Sequence, residues 1–468
     1  MGQQHLGVIG LGVMGRNLAL NAENKGFPAA GFDVSPDKLN EMSAAASGKN
    51  VVVAKTLKEF TDALERPRRL LAMVPAGAPV DSVLHDLKPY LDKDDIVIDG
   101  GNSYYKDTER RAQELDAAGL RFFGMGVSGG EEGALHGPSL MPGGHEESYR
   151  HLEPLLTKMA AQTADGACCA YMGPGGAGHY VKMVHNGIEY GIEQIICEAY
   201  DILKNALGLR TPELRDIFAA WAGSALNSFL LEITALVLGK IDPDTGKPLV
   251  EMILDEAAQK GTGKWTAQDA LDLGVAVPTI SYSVEARIIS SRKDERVAAA
   301  AILRGPSGKF SGDRKQFIEQ VRQAYQIAVI CCYAQGFDQL RSASAEHKYN
   351  LNLPEIARIW KGGCIIRAKM LDPIQAALLS QPDLKNLMLD PYFSRIINET
   401  SGNLREVVTT AMDLGTPCAA FATTLGYIDS YRHSRLPANL LQGLRDCFGA
   451  HTYRRVDKPG SFHTEWSK

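Results

Sequence analysis

The 468-residue sequence lacks any apolar run long enough to cross a membrane as a helix. Such a helix needs about 18 to 20 consecutive apolar residues. The amino terminus also lacks the basic segment and the longer apolar core that a secretory signal requires. We therefore expect a cytoplasmic protein with no membrane partner.

The chain has no excess of positive charge. It carries 50 lysine and arginine residues against 55 aspartate and glutamate residues, which gives a net charge of −5. Nucleic acids attract proteins through basic patches. Nucleic acid is therefore not an expected partner.

Cysteine is present but follows no metal-binding pattern. The eight cysteines include the adjacent pairs 168–169 and 331–332, with no Cys-x-x-Cys or Cys/His ligand spacing. Metal ligands usually recur at such spacings. No metal site is predicted, and small buried residues are the simpler interpretation.

A glycine turn joins a short apolar strand to a helix near the start of the chain. Gly10, Gly12 and Gly15 match the pattern G-x-G-x-x-G, and a helix is expected from about Met14 to Lys25. A second strand, 29–32, ends about 20 residues further on, where an acid usually binds the adenine ribose. This order predicts a Rossmann-like dinucleotide-binding domain. Its expected cofactor contacts are Gly10, Leu11, Gly12, Val13, Met14, Gly15, Asp33, Val34 and Ser35.

Two different patterns divide the chain. Buried-strand runs at 70–74 and 96–99, separated by helical segments, predict a parallel sheet with helices on both faces. After about Gly178 the sequence has helical periodicity, in segments 178–207, 214–238, 249–258, 281–302 and 314–336. We therefore predict an α/β domain at 1–177, an all-helical domain at 178–435 and a docked tail at 436–468.

The first of these long helices carries a candidate acid/base pair. Lys182, Asn186 and Glu189 stand at i, i+4 and i+7, with His185 beside them. One helix face would then present a proton acceptor, a proton donor and two polar groups. For a lone lysine and glutamate, an exposed ion pair would be the usual interpretation.

Glycine-rich segments supply candidate anion sites. Segments 100–103, 126–133 and 137–144 are expected as loops at the carboxyl edge of the sheet, although ordinary turns are an alternative. Glycines flank Lys260 and Thr262, as in backbone nests that bind phosphate.

Six segments of the sequence, taken in order, resemble those of decarboxylating 6-phosphogluconate dehydrogenases, and the resemblance extends over essentially the whole chain. They are 10–15, 99–103, 126–130, 178–190, 259–266 and 448–453. The resemblance implies a Rossmann-like domain, a large helical domain that forms a homodimer, and a tail that threads through the other subunit. It also implies the oxidative decarboxylation of 6-phosphogluconate to ribulose 5-phosphate and CO₂, as in the pentose phosphate pathway, with reduction of NAD or NADP and without a metal.

The same resemblance implies a role for each matching residue. Lys182 is expected to be the general base, Glu189 the acid that protonates C1, and Asn102 a contact on the nicotinamide side. The expected substrate contacts are Ser128, Gly129, Gly130, His185, Asn186, Tyr190, Lys260, Thr262 and Arg287, with Arg445 and His451 from the partner subunit.

The sequence departs from the family pattern where the cofactor is selected. Members that use NADP commonly have Asn-Arg where this chain has Asp33-Val34, and often lysine at Pro75 within the cofactor-binding stretch Val74-Pro75-Ala76. A carboxylate at Asp33 would accept hydrogen bonds from ribose hydroxyls and repel a 2′-phosphate. We therefore predict that NAD is preferred, although Ser35 and Lys38 offer another way to bind a 2′-phosphate.

Two other functions compete with this interpretation. A plain β-hydroxyacid dehydrogenase shares the Rossmann-like domain and the helical lysine, but is generally much shorter and releases no CO₂. A noncatalytic dinucleotide-binding protein would not need the complete set of Lys182, Glu189, Ser128 and Asn186.

Overall fold

The computed structural model describes residues 3–306 and 308–467; Lys468, the last residue of the predicted tail, lies outside them. The amino-terminal part contains a seven-stranded sheet in the order β3-β2-β1-β4-β5-β6-β7. All neighbouring strands are parallel except β6 and β7. Its strands are β1 (Leu6–Ile9), β2 (Ala29–Phe32), β3 (Val51–Val53), β4 (Arg69–Ala72), β5 (Ile96–Asp99), β6 (Arg121–Ser128) and β7 (Ser139–Gly144).

Helices cover both faces of this sheet, which explains why its central strands are apolar throughout. One core contains Val8 and Ile98, and the other contains Ile9 and Val97, so alternate residues point to opposite faces. The helices are α1 (Val13–Asn24), α2 (Pro36–Ala45), α3 (Leu57–Asp62), α4 (Ala78–Leu87), α5 (Tyr105–Asp116), α6 (Gly130–His136) and α7 (Glu146–Met159). The short strands β8 (Gln162–Thr163) and β9 (Gly166–Ala167) follow.

The rest of the described chain is mainly helical and includes two long helices, α8 and α14, which pack against each other. Its helices are α8 (Ala177–Leu207), α9 (Thr211–Ala222), α10 (Phe229–Gly239), α11 (Thr262–Asp272), α12 (Pro278–Ser290), α13 (Lys293–Ile302), α14 (Arg314–Glu346), α15 (Leu353–Ile359), α16 (Leu371–Ser380), α17 (Pro391–Asp413), α18 (Ala419–Arg432) and α19 (Ala438–Gly449). The predicted combination of a Rossmann-like domain with a large helical domain is confirmed.

Glycines let the first turns of α8 lie directly on β6 and β7. A Cβ atom on Gly178 would be 2.2 Å from the Gly124 carbonyl oxygen and 2.3 Å from that of Met141. A Cβ atom on Gly126 would be 2.4 Å from the Cβ of Lys182. Because no side chain separates helix from sheet, Lys182 lies at the edge where β6 ends.

Several predicted elements match the structure closely. The strands at 29–32 and 96–99 have the expected bounds, and α1 is displaced by one residue from the predicted 14–25. The helix predicted at 178–207 begins one residue earlier, at Ala177. Local periodicity specified these elements because each has a continuous buried side.

Other predicted segments were wrong in extent. The segment 214–238 forms two helices, because the Ser228 hydroxyl accepts from the Leu231 N–H and starts α10 anew. The segment 281–302 is likewise divided, between α12 and α13. The predicted loops at 126–133 and 137–144 largely belong to β6, α6 and β7. The strands β6 and β7 pair as an antiparallel hairpin, and α6 connects them.

The predicted helix at 249–258 is absent; a single 3-10 turn covers Leu249–Glu251. Met252, Ile253 and Leu254 are 48%, 59% and 60% exposed, so they have no core in this chain to face. Without a buried side, a short helix is marginal in water.

Within the described ranges, no helix is both long and apolar enough to cross a membrane.

Candidate active site

Lys182 and Glu189 lie on the same buried face of α8. Lys182 is 5% exposed, and 19% of the Glu189 side chain is exposed. His185 lies between them, with its Nδ1 atom 3.4 Å from Lys182 Nζ and 3.6 Å from a Glu189 carboxylate oxygen. The predicted helical face therefore exists, but it points into the protein rather than into solvent.

Burial shifts the pKa values of this pair towards each other. It lowers the pKa of Lys182, against the opposing attraction of Glu189. It raises the pKa of Glu189 to about 7, against the opposing effect of Lys182. Burial and the nearby Lys182 also hold the pKa of His185 well below its usual range. A neutral lysine can accept a proton and a neutral carboxylic acid can donate one.

Polar groups from β6 and from α8 itself contact His185. Its Nε2 atom is 3.2 Å from Ser128 Oγ at the end of β6, and its Nδ1 atom is 3.0 Å from Asn186 Oδ1. The Asn186 amide donates to Thr262 Oγ1 over 3.1 Å. The structure thus joins sheet, α8 and α11 around the predicted substrate contacts.

Gly129 and Gly130 turn the chain from β6 into α6. Their φ angles are +127° and +61°, which side chains with a Cβ atom rarely adopt. A Cβ atom on Gly129 would lie 2.7 Å from the Gly363 carbonyl oxygen. Backbone and ligand can therefore approach closely beside Ser128.

A cationic group lies at the other end of this site. The Arg287 guanidinium lies 3.4 Å above the Tyr190 ring and donates to the Ala258 carbonyl oxygen over 3.0 Å. Thr262 begins α11 and is buried, while Lys260 is exposed two residues before it. An arginine, a lysine and a helix amino terminus form a set suited to an anion.

Arg445 and His451 do not join this group within one protomer. In the described chain, Arg445 bonds to Gln442 and the His451 ring contacts Phe448, both in the tail. Buried Asp446 organises this tail by accepting hydrogen bonds from the N–H groups of Thr452 and Thr464 and from the His463 and Trp466 side chains.

The glycine turn fits a dinucleotide. A Cβ atom on Gly10 would be 2.5 Å from the Met73 carbonyl oxygen, and one on Gly15 would be 1.9 Å from that of Gly10. Gly12 has no neighbouring atom within 4 Å of such a position and begins α1. The turn is therefore tight beneath and open above, where a pyrophosphate binds at a helix amino terminus.

The end of β2 carries a fixed negative charge. Asp33 accepts hydrogen bonds from the N–H groups of Leu11, at 2.7 Å, and Ser35, at 2.8 Å. Val34 is 90% exposed. The nearby cations Arg16 and Lys38 both bond to Glu41.

The remaining predicted cofactor contacts follow the next two strands. Val74, Pro75 and Ala76 follow β4, and Asn102 is exposed after β5. Asp99 holds the second loop by accepting from the Gly101 N–H and the Ser103 hydroxyl. These loops meet at the sheet edge, since a Cβ atom on Gly101 would be 2.9 Å from the Val74 carbonyl oxygen.

Sequence reasoning missed three contributors to this site. The Ile365 N–H donates to Ser128 Oγ over 3.4 Å. Burial raises the pKa of the Cys364 thiol to about 12, against the opposing effect of the nearby Lys182 charge. Glu193 contacts Arg287. The Gly362-Gly363 pair was the one available signal for the first two, and Glu193 had none.

Comparison with known proteins agrees with this geometry. Residues 5–173 match the NAD binding domain of 6-phosphogluconate dehydrogenase, and residues 178–466 match its C-terminal domain. The decarboxylating 6-phosphogluconate dehydrogenase of Synechocystis is 56% identical across 100% of this chain and 98% of its own. The NADP(+)-dependent decarboxylating enzyme of Bacillus subtilis is 53% identical across both full lengths.

A solved structure extends the likeness to the whole fold. Plasmodium falciparum 6-phosphogluconate dehydrogenase, studied in its apo form, with NADP+ and with 6-phosphogluconate, is 41% identical. Its TM-score is 0.93, and the match covers 99% of this chain and 100% of that one. The chain therefore belongs to the 6-phosphogluconate dehydrogenase family.

Proposed function

We propose that this protein catalyses the oxidative decarboxylation of 6-phosphogluconate to ribulose 5-phosphate and CO₂, with a nicotinamide dinucleotide as oxidant. The observation that carries this proposal is the buried pair Lys182 and Glu189 at the carboxyl edge of the sheet, with pKa values shifted in opposite directions. Membership of the family supports the choice of substrate. A cytoplasmic location remains a prediction.

The reaction uses the neutral forms of both groups. Lys182 takes the proton of the C3 hydroxyl, and a nicotinamide dinucleotide held by the glycine turn and by the loops after β4 and β5 would supply the two-electron oxidant for C3. The resulting 3-keto acid loses CO₂ because the electrons of the broken bond enter the ketone, whose developing negative charge is stabilised by protonated Lys182. Glu189, kept protonated by burial, then donates a proton to C1 of the enediol.

Replacing the base tests this assignment directly. We expect Lys182→Met to lower kcat by about 10² to 10⁴-fold, the usual contribution of a general base. Initial rates on 6-phosphogluconate, with CO₂ trapped in parallel, measure the effect. Lys204→Met removes a lysine from the same helix and should keep activity within about twofold.

Three results would contradict the proposal. Oxidation without CO₂ release would favour a plain β-hydroxyacid dehydrogenase. No turnover by the wild-type protein would favour a noncatalytic dinucleotide-binding protein. Full activity of Lys182→Met would exclude the lysine as base.

The raised pKa of Glu189 also predicts a pH dependence of stability. A carboxyl whose pKa rises from 4.5 to about 7 on folding stabilises the folded state below pH 4.5, and that contribution is lost as the pH rises through 7. Between pH 5 and 8, the free energy of unfolding of wild type relative to Glu189→Gln should therefore fall by about 1 to 3 kcal/mol.

Denaturant unfolding at fixed protein concentration, without ligands, measures this difference. Glu285→Gln on α12 is the control, because Glu285 is exposed. If the difference in the free energy of unfolding between wild type and Glu189→Gln stays constant with pH, Glu189 is not held protonated.

We infer that NAD is the preferred cofactor, although NADP is named for the Bacillus and Plasmodium relatives. Asp33 is fixed by two backbone N–H groups where the adenine ribose is expected, and each of its oxygens has a further lone pair for a ribose hydroxyl. The same charge would repel a 2′-phosphate. Exposed Val34 offers no cation, and Arg16 and Lys38 are engaged by Glu41.

Exchanging Asp33-Val34 for Asn-Arg should reverse the preference. Loss of the carboxylate and gain of a guanidinium should raise kcat/KM with NADP relative to NAD by about 10² or more. Val34→Leu is the control for a change of size without charge. An unchanged ratio in the Asn-Arg variant, or an NADP preference in wild type, would refute the inference.

We further propose a homodimer whose subunits share active sites, with the chain divided at about residues 177 and 435. The tail carries Leu440, Leu441, Leu444 and Phe448, which are 65%, 60%, 52% and 74% exposed in the protomer. Exposed apolar groups on an ordered helix favour a partner surface. Arg445 and His451 lie on this same tail and would reach the partner's phosphate site.

Mixed dimers test the shared site. A dimer of Lys182→Met with Arg445→Ala would contain one site with both intact residues, so random mixing should restore about a quarter of wild-type activity at low substrate concentration. Lys182→Met mixed with the double variant should restore none. Activity in the first mixture no higher than the contribution of its Arg445→Ala parent would show that Arg445 acts within its own subunit, and full activity of that parent alone would show that Arg445 has no role.

A further inference from the structure

Glu193 lies one helical turn beyond Glu189 on α8 and contacts Arg287. Its carboxylate accepts a hydrogen bond from Arg287 Nη2. Arg287 Nη1 bonds to the Ala258 carbonyl oxygen, and the Tyr190 ring lies beneath the guanidinium. Three contacts therefore fix this arginine, and one of them brings a negative charge.

This carboxylate is only partly screened by solvent. The Glu193 side chain is 37% exposed and that of Arg287 is 18% exposed. Charges interact more strongly in such partly buried positions than in open water. Glu193 also raises the pKa of Glu189, although burial contributes more. A doubly negative ligand would thus meet the charge of Glu193 beside its arginine.

Glu193 and Arg287 also border an open cavity of about 470 Å³. Tyr190 lines the same cavity, together with apolar groups such as Leu230 and Val237. The ion pair therefore borders open space. An incoming phosphate would compete with Glu193 for the guanidinium, because both are anions that form charge-assisted hydrogen bonds with arginine.

We propose that Glu193 is a specificity-determining residue that opposes phosphate binding by occupying Arg287 and by repelling the dianion. This inference rests on the proposed function, which assigns Arg287 to the substrate phosphate. Glu193 limits the affinity for phosphorylated ligands, whereas ligands without a phosphate do not meet its charge.

Glu193→Gln tests the proposal because it removes the charge and keeps the shape. The Kd of 6-phosphogluconate, measured by calorimetry without cofactor, and the inhibition constant of inorganic phosphate should each fall by about 3- to 30-fold. The inhibition constant of gluconate, which lacks the phosphate, should change by less than about twofold.

Two further variants serve as controls. Asp201→Asn removes a carboxylate from the same helix, about 12 Å further along its axis. It should leave all three binding constants near their wild-type values. Glu193→Met, of similar volume, replaces Glu193→Gln if that variant unfolds, and it should give the same tighter binding of both phosphate ligands.

An unchanged or higher Kd for 6-phosphogluconate in the Glu193 variants would overturn the inference. A higher value would mean that Glu193 instead orients Arg287 for the phosphate. Arg287→Ala separates this failure from failure of the proposed function. If Arg287→Ala weakens binding while Glu193→Gln does not tighten it, only the role of Glu193 is wrong. If neither has an effect, the phosphate assignment is wrong as well.

Discussion

The contact between α8 and the hairpin of β6 and β7 determines where the reactive groups lie. Gly178 and Gly126 permit it, since a Cβ atom at either position would overlap atoms of the facing element. This close approach, without intervening side chains, buries Lys182 beside the end of β6. The same strand end places Ser128 next to His185. If the helix and the sheet were further apart, the same sequence would not bring Lys182 and His185 close to Ser128.

Burial then changes the chemistry of the residues on α8. On a solvated helix, a lysine three residues before a histidine and a glutamate four residues after it would be ordinary charged groups. Here the cost of burying charge favours the neutral form of all three. Because the proposed proton acceptor and the proposed proton donor share one helix, a single packing interaction shifts the pKa values of both.

The phosphate end of the site follows a different principle. Arg287 is held in place by contacts with Glu193, with Tyr190 and with a backbone carbonyl. The remaining expected contacts, Arg445 and His451, are held on a tail organised by Asp446. The protomer therefore contains both the proposed base and the proposed acid, while the proposed anion site depends on a second chain.

The sequence by itself determined the glycine turn, the bounds of β2 and β5, and the face shared by Lys182 and Glu189. Each depends on spacing within one strand or helix, and such spacing is legible in a short segment. Tertiary structure alone decided the break within 214–238 and the absence of a helix at 249–258. It also decided that Ile365 contacts Ser128 and that Glu193 pairs with Arg287. These features depend on contacts between distant segments and on which surfaces are buried, and local periodicity carries no information about either.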